Sequence, residues 1–283
     1  LPVLSALRTA LPTARITWLV RREFAGLLAG VDGLDEVLLF DRRRLAGWYR
    51  SPAAFRALLD FMRTLRHNRY DLVLDLQGLL RSGLFARMTG CRHRIGMADC
   101  REFAGLFYTH KVPRPADSMH LLDYYTAMLR AAGIQGRPTG KVVFNIPNAA
   151  VAAVRQKLNI AGIDTPYLVL VPSSAHPSKC WPPERFARLA ERMHRDYRLS
   201  IVLTGTDGDR PVIDAIRAHS SVNLIDLVGR TTIPELIALL QHSAGVVSND
   251  TGPGHIAAAM HVPTVLIFGH TNPMRVGPCR RPG

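Results

Sequence analysis

The stretch Gly245–Val246–Val247–Ser248, then Asn249–Asp250–Thr251–Gly252–Pro253–Gly254–His255, then Ile256–Ala257–Ala258–Ala259, constrains the fold of this chain more than any other. It reads as a strand end, a tight glycine-rich turn and a helix start, and Pro263–Thr264–Val265–Leu266–Ile267–Phe268–Gly269 supplies a second apolar strand. Such a strand–helix–strand unit belongs in a parallel sheet covered by helices. The first-turn N–H groups of its helix lack intrahelical partners, and the helix dipole adds positive potential, so the turn suits an anion. Asp250 and Thr251 are expected to cap the helix, while Gly252 and Gly254 let the backbone approach a ligand. Taken alone, the turn is equally an ordinary corner of an α/β sheet.

The same grammar runs along the chain. In the first half, 14–20, 36–40 and 72–75 read as strands, and the apolar residues at 55, 58, 59, 62 and 65 place a helix over 52–66. In the second half strands are predicted at 167–172, 200–205 and 222–227, with helices over 183–197, 210–219 and 233–242. Gly136 to Asn148, with Pro138, Gly140 and Pro147, reads as a hinge. The expectation is an α/β protein of two Rossmann-like domains, 1–144 and 145–283, facing a central cleft.

Length supports this, because 283 residues with 47% hydrophobic content can bury two cores of about 140 residues each. No apolar run approaches the roughly 20 residues of a membrane-spanning helix, and no signal peptide is visible. A soluble globular protein is expected. Cys91, Cys100, Cys180 and Cys279 lack metal-type spacing and suit a reducing cytoplasm. The chain starts Leu1–Pro2–Val3–Leu4 within a helix-like stretch and stops at Arg281–Pro282–Gly283 in a loop-like one, so a fragment lacking material at both ends is expected.

A formal net charge of +14 is carried mainly by arginine, densely from Arg42 to Arg101. Such a field favours a polyanionic partner: a nucleic acid, an anionic membrane face or a phosphorylated substrate. Basic–aromatic interleaving and recognisable nucleic-acid motifs are missing, so a nucleic-acid partner is not expected. Neither GxxxxGK[ST] nor GxGxxG occurs, which argues against a P-loop ATPase and a standard NAD site.

Three turns lie at predicted strand ends, where ligands of open α/β sheets bind: 172–182, with Ser174 and Lys179; 204–209; and the turn at 250–255. Hydroxyls, a lysine and a helix N-terminus brought together suit a diphosphate. His255 is equally suited to touch a phosphate or to serve as a cap or core residue.

Asp250–Thr251–Gly252 with His255, Lys179–Cys180–Trp181–Pro182 preceded by Ser174, and Asp75–Leu76–Gln77–Gly78–Leu79–Leu80–Arg81–Ser82 together resemble glycosyltransferase family 9. The resemblance extends over nearly the whole chain, through Gly96–Met97, Arg101–Glu102 and Leu106–Phe107–Tyr108. It implies a GT-B fold, with a second domain that binds an ADP-heptose donor and a first domain that binds a Kdo-bearing lipid A acceptor. It also implies inverting, metal-independent heptose transfer in lipopolysaccharide inner-core synthesis, at the cytoplasmic face of the inner membrane of a Gram-negative-type bacterium. No cofactor is expected, and positive groups must stabilise the departing diphosphate.

Carried over residue by residue, the resemblance assigns Ser174, Lys179 and the Thr251–Gly252 backbone to the donor phosphates. Asp250 is assigned to the sugar hydroxyls, His255 to the phosphates or their helix turn, and Thr231 to the adenosine. On the acceptor side it points to Arg42, Arg43 and Arg44, in a loop, and to Arg81, Arg101 and His120. Forked guanidiniums suit phosphate and carboxylate, and an anionic leaflet would attract the same face.

The family's general base is an aspartate in a Gly-Asp turn that would precede Leu1, so no catalytic residue is assigned within the chain, which is expected to fold without turning over. Pro253–Gly254 and His270 also depart from the family pattern. Rival readings are a family member acting on a different core position, a nucleotide-sugar epimerase and a basic nucleic-acid binder.

Overall fold

The computed structural model describes residues 2–136, 142–163, 166–174 and 176–278. The chain divides into two compact units, Leu1–Ala25 with Gly33–Thr139, and Gly26–Asp32 with Gly140–Gly283. The division falls a few residues before the expected 144/145 boundary, and the short segment 26–32 joins the second unit. It is tied there by backbone: Val31 bridges Phe144 in antiparallel fashion and Asn145 N donates to Gly30 O at 2.6 Å. Of the expected hinge at 136–148, residues 137–141 lie outside the described residues, as does Cys279.

In the first unit β1 (Thr17–Arg21) pairs in parallel with β2 (Glu36–Phe40). A second parallel sheet follows, of β3 (Leu72–Asp75), β4 (His93–Met97) and β5 (His110–Val112), in that order. The helix Pro52–His67 starts where Ser51 Oγ accepts from Ala54 N and proline occupies its first turn. β4 and β5 carry His93, Arg94, His110 and Lys111 and do not read as strands from apolar content. Their exposed ends are held by side chains instead: Arg94 N donates to Thr109 Oγ1 at 2.8 Å, and Arg94 Nε to Phe107 O at 2.7 Å.

The second unit is a five-stranded parallel sheet built from β6 (Tyr167–Val171), β7 (Ser200–Leu203), β8 (Leu224–Asp226), β9 (Gly245–Asn249) and β10 (Thr264–Ile267). Helices cover both of its faces, and the central β6 is buried throughout. Tyr167, Val169 and Val171 pack with Val202, Val246 and Leu239, while Leu168 and Leu170 pack on the other side with Phe186, Ile201 and Ile213. The two-residue period of a strand thus feeds two apolar cores, which is why β6 shows no polar alternation.

Strand order is β10–β9–β6–β7–β8. The chain runs from β6 toward β8, then returns to lay β9 on the opposite side of β6. The carboxyl ends of β6 and β9 therefore flank the topological switch point, where open α/β sheets hold their ligands. No helix among the described residues is long and apolar enough to cross a membrane.

Candidate functional site

Two loops leave the switch point: 172–182 after β6 and 250–251 after β9. Asn249, wholly buried at the end of β9, clamps them together. Its Oδ1 accepts from Trp181 N at 3.0 Å and its Nδ2 donates to Pro172 O. The clamp brings Lys179, on the 3-10 turn Pro177–Lys179, over the next residue of the β9 loop. Lys179 Nζ donates to Asp250 Oδ2 at 2.7 Å, and His255 Nε2 lies 2.9 Å from Asp250 Oδ1.

The Asp250 side chain is only 5% exposed. Burial pushes its carboxyl up, but the hydrogen bonds from Lys179 and His255 and the charge of Lys179 outweigh burial and hold it below its ordinary value of 3.8. The carboxylate is therefore a fixed negative charge that holds Lys179 at the switch point. An arriving phosphate would meet an ammonium already in place.

The helix Gly252–Ala259 starts beside this pair, and its capping differs from expectation. Thr251 occupies the N-cap position but caps nothing with its side chain. Its hydroxyl lies 3.1 Å from Ser248 Oγ and donates to Asn249 O at 3.3 Å, while Asp250 is engaged by Lys179 and His255. Pro253 has no N–H and His255 N donates to Thr251 O, so Gly252 and Gly254 are the first-turn donors without a side-chain acceptor among the described residues, the condition an anion site needs.

The two glycines also part company. A Cβ on Gly252 would meet nothing within 4 Å, so its backbone is open to a ligand. A Cβ on Gly254 would lie 2.2 Å from Leu266 Cδ2 and 2.8 Å from Ser248 Cβ. Gly254 is there for close packing of helix on strand, not for approach of a ligand.

Ser174 is half-buried in the β6 loop, and Thr231 is half-buried ahead of the helix Ile233–Gln241. Ser173 was not singled out by the sequence. It is 7% exposed, and its Oγ has no hydrogen-bond partner among the described residues. His270, just after Gly269, sits 3.0 Å from Ser178 Oγ. The turn at 204–209 differs from expectation, because its polar groups satisfy one another: Thr206 N and Oγ1 donate to Asp209 Oδ2 at 2.7 and 2.9 Å.

In the first unit Arg42, Arg43 and Arg44 are exposed but open a short helix, Arg42–Ala46, not a loop. The cause is Asp41, whose Oδ1 accepts from Arg43 N at 2.9 Å and Arg44 N at 3.0 Å. Those bonds hold the Asp41 carboxyl below its usual range. Arg81 lies after β3 with its guanidinium 5.6 Å from the Phe40 ring centroid, and its buried Nε has no hydrogen-bond partner among the described residues. Arg101 is exposed after β4, and its N donates to Gly78 O at 2.8 Å. His120 caps the helix Leu121–Ala131, its Nδ1 accepting from Leu122 N at 3.2 Å.

Asp75, buried at the end of β3, shapes this edge: its Oδ1 accepts from Gln77 N and Gly78 N, and its Oδ2 from the Tyr108 hydroxyl at 2.7 Å. Burial and the facing carboxylate push the Tyr108 hydroxyl far above its usual range, so it stays a proton donor. The Tyr108 ring lies across Gly96, where any Cβ would fall 2.2 Å from it.

Residues 58–282 match glycosyltransferase family 9 (heptosyltransferase). Lipopolysaccharide heptosyltransferase 3 of Escherichia coli (strain K12) is 26% identical over 276 residues, covering 96% of this chain and 78% of that protein. Lipopolysaccharide heptosyltransferase 1 of Salmonella typhimurium is 26% identical over 293 residues, covering 98% and 86%. Among solved structures, a family 9 glycosyltransferase from Veillonella parvula superposes with a TM-score of 0.85 at 23% identity, covering 99% of this chain and 79% of that one. The E. coli heptosyltransferase WaaC with ADP-2-deoxy-2-fluoro heptose gives 0.73 at 24% identity, covering 100% and 88%. The fold is GT-B, and the chain belongs to glycosyltransferase family 9, the heptosyltransferases.

Proposed function

We propose that the protein is of the heptosyltransferase 1 type and moves L-glycero-D-manno-heptose from ADP-heptose to Kdo-lipid A, with inversion and without a metal ion. The observation that carries the donor half is Lys179, held 2.7 Å from Asp250 beside a helix start that no side chain caps. In this reading the second unit binds the donor. As the bond from sugar to diphosphate breaks, negative charge grows on the leaving phosphate, and Lys179 together with the open first-turn N–H groups neutralises it. Ser174 and the Thr251–Gly252 backbone add hydrogen bonds to the same phosphates, Asp250 orients the sugar hydroxyls, His255 steadies Asp250, and Thr231 borders the adenosine.

The first unit binds the acceptor. Arg42, Arg43, Arg44, Arg81 and Arg101 supply planar forks for phosphate and carboxylate. His120 contributes through the helix start it caps. The acceptor is an anionic lipid, so the enzyme works peripherally at the cytoplasmic face of the inner membrane.

A second reading is favoured by one fact: the relatives include types 1 and 3 at the same 26% identity. Transfer from ADP-heptose, assayed with Kdo-lipid A and with acceptors that already carry one or two heptoses, separates the two. Product from Kdo-lipid A supports type 1. Product only from the heptosylated acceptors assigns a later step.

A further inference from the structure

Three consecutive crossovers of the first unit, after β2, β3 and β4, leave large apolar side chains in solvent beside arginines. After β2 come Trp48 and Tyr49, 49% and 63% exposed and packed edge to face, with the Arg50 guanidinium 5.0 Å from the Tyr49 ring centroid. After β3 Leu80 and Leu84 lie one helical turn apart on an exposed face beside Arg81. After β4 Phe103 and Leu106 are 82% and 78% exposed, next to Arg101.

These crossovers share one edge. Glu102 Oε2 accepts from Leu80 N at 3.2 Å, and Arg101 N donates to Gly78 O, which joins the β4 loop to the β3 loop. Arg81 over the Phe40 ring joins the β3 loop to the end of β2.

The Phe103 position is held against backbone preference. Glu102 and Phe103 have φ of 54° and 61°, adjacent left-handed conformations in residues other than glycine. Glu102 is pinned by Leu80 N, and Ala104 at the following turn is fully buried against Gly83. The loop is thus anchored on both sides while the Phe103 ring projects into water.

We infer that this edge is a membrane-docking face that seats on an anionic bilayer, with Phe103 and Leu106 entering the headgroup–acyl boundary and Trp48 and Tyr49 lying at headgroup level. Isolated exposed apolar residues are ordinary, whereas apolar side chains on three adjoining crossovers, each flanked by arginine, match an interface that is apolar below and anionic above. The nearby acids Asp41 and Glu102 are turned to backbone amides and leave the guanidiniums to meet lipid phosphates. The inference rests on the lipid-acceptor reading above. It goes beyond that reading by assigning the apolar contact face and the residues that enter the bilayer.

The test is co-sedimentation of the full chain with vesicles of phosphatidylglycerol and phosphatidylethanolamine, without any acceptor. The parent should bind, more weakly as salt rises. Phe103→Ser with Leu106→Ser should lower the partition coefficient by about tenfold or more, given the apolar area withdrawn from the lipid. Phe103→Gly is the sharper variant, since it relieves the left-handed strain: its melting temperature should hold or rise while vesicle binding falls.

ADP titration of the same proteins should be unchanged, and it reports separately on the donor reading. If ADP fails to bind while vesicle binding falls as described, the functional reading fails and the docking face stands. A parent that ignores phosphatidylglycerol vesicles at low salt, or serine variants that sediment like the parent, would overturn the docking face.

Discussion

Lys179 Nζ and Asp250 Oδ2 stand 2.7 Å apart across the switch point between β6 and β9, with Asp250 nearly buried and Lys179 one-fifth exposed. The pair positions a cation where a leaving diphosphate would sit. Lys179→Ala leaves a buried carboxylate that keeps only its hydrogen bond with His255 among the described residues. We expect a loss of about 1–3 kcal/mol in stability and of tenfold or more in ADP affinity, read by thermal melting and calorimetry.

The two glycines of the turn make opposite predictions. Gly254→Ala forces a methyl into Leu266 and Ser248 and should cost about 1–3 kcal/mol, seen as a lower melting temperature. Gly252→Ala meets nothing in the protein, so stability should stay within about 0.5 kcal/mol. Its methyl stands where a phosphate would approach, and ADP affinity should fall.

Acid stability carries a signature of Asp250. Its folded value lies below 3.8, so at acid pH the folded chain binds fewer protons at this site than the unfolded chain. The contribution is complete above about pH 4 and is lost as pH falls through the folded value. Melting temperatures of the parent and of Asp250→Asn, measured from pH 6 to pH 2.5, should differ most at the upper end and converge at the lower.

Tyr108→Phe removes one of the three hydrogen bonds that reach Asp75 and leaves a buried carboxylate oxygen without a partner. A loss of about 1–3 kcal/mol is expected. Hydrogen exchange at Gln77 and Gly78 should rise with it, because their amides rest on the same carboxylate.

Much of this architecture was legible in the residues. β2, β3 and the helix Pro183–Tyr197 fall on their expected residues, because unbroken apolar runs and proline at a helix start are local signals. β4 and β5 were not legible, since their polar residues are satisfied by partners distant in sequence, such as Arg94 by Phe107 and Thr109.

At the candidate site, Lys179, Asp250 and His255 were expected together, and the structure brings them together. The roles of Asn249 and Ser173 were invisible, because each depends on what the neighbouring loop or strand places opposite it. Gly254 was misread for the same reason: a glycine in a turn looks alike whether a ligand or Leu266 lies above it. The loop expected for Arg42 to Arg44 came from the family resemblance, whereas in this chain Asp41 caps them into a short helix.

The most direct measurement is a calorimetric titration of the protein with ADP, UDP and GDP, in parallel with Lys179→Ala. The account predicts that ADP binds in preference to the other two and that the variant loses tenfold or more in ADP affinity. Equal binding of all three nucleotides, or ADP bound as tightly by Lys179→Ala as by the parent, would contradict it.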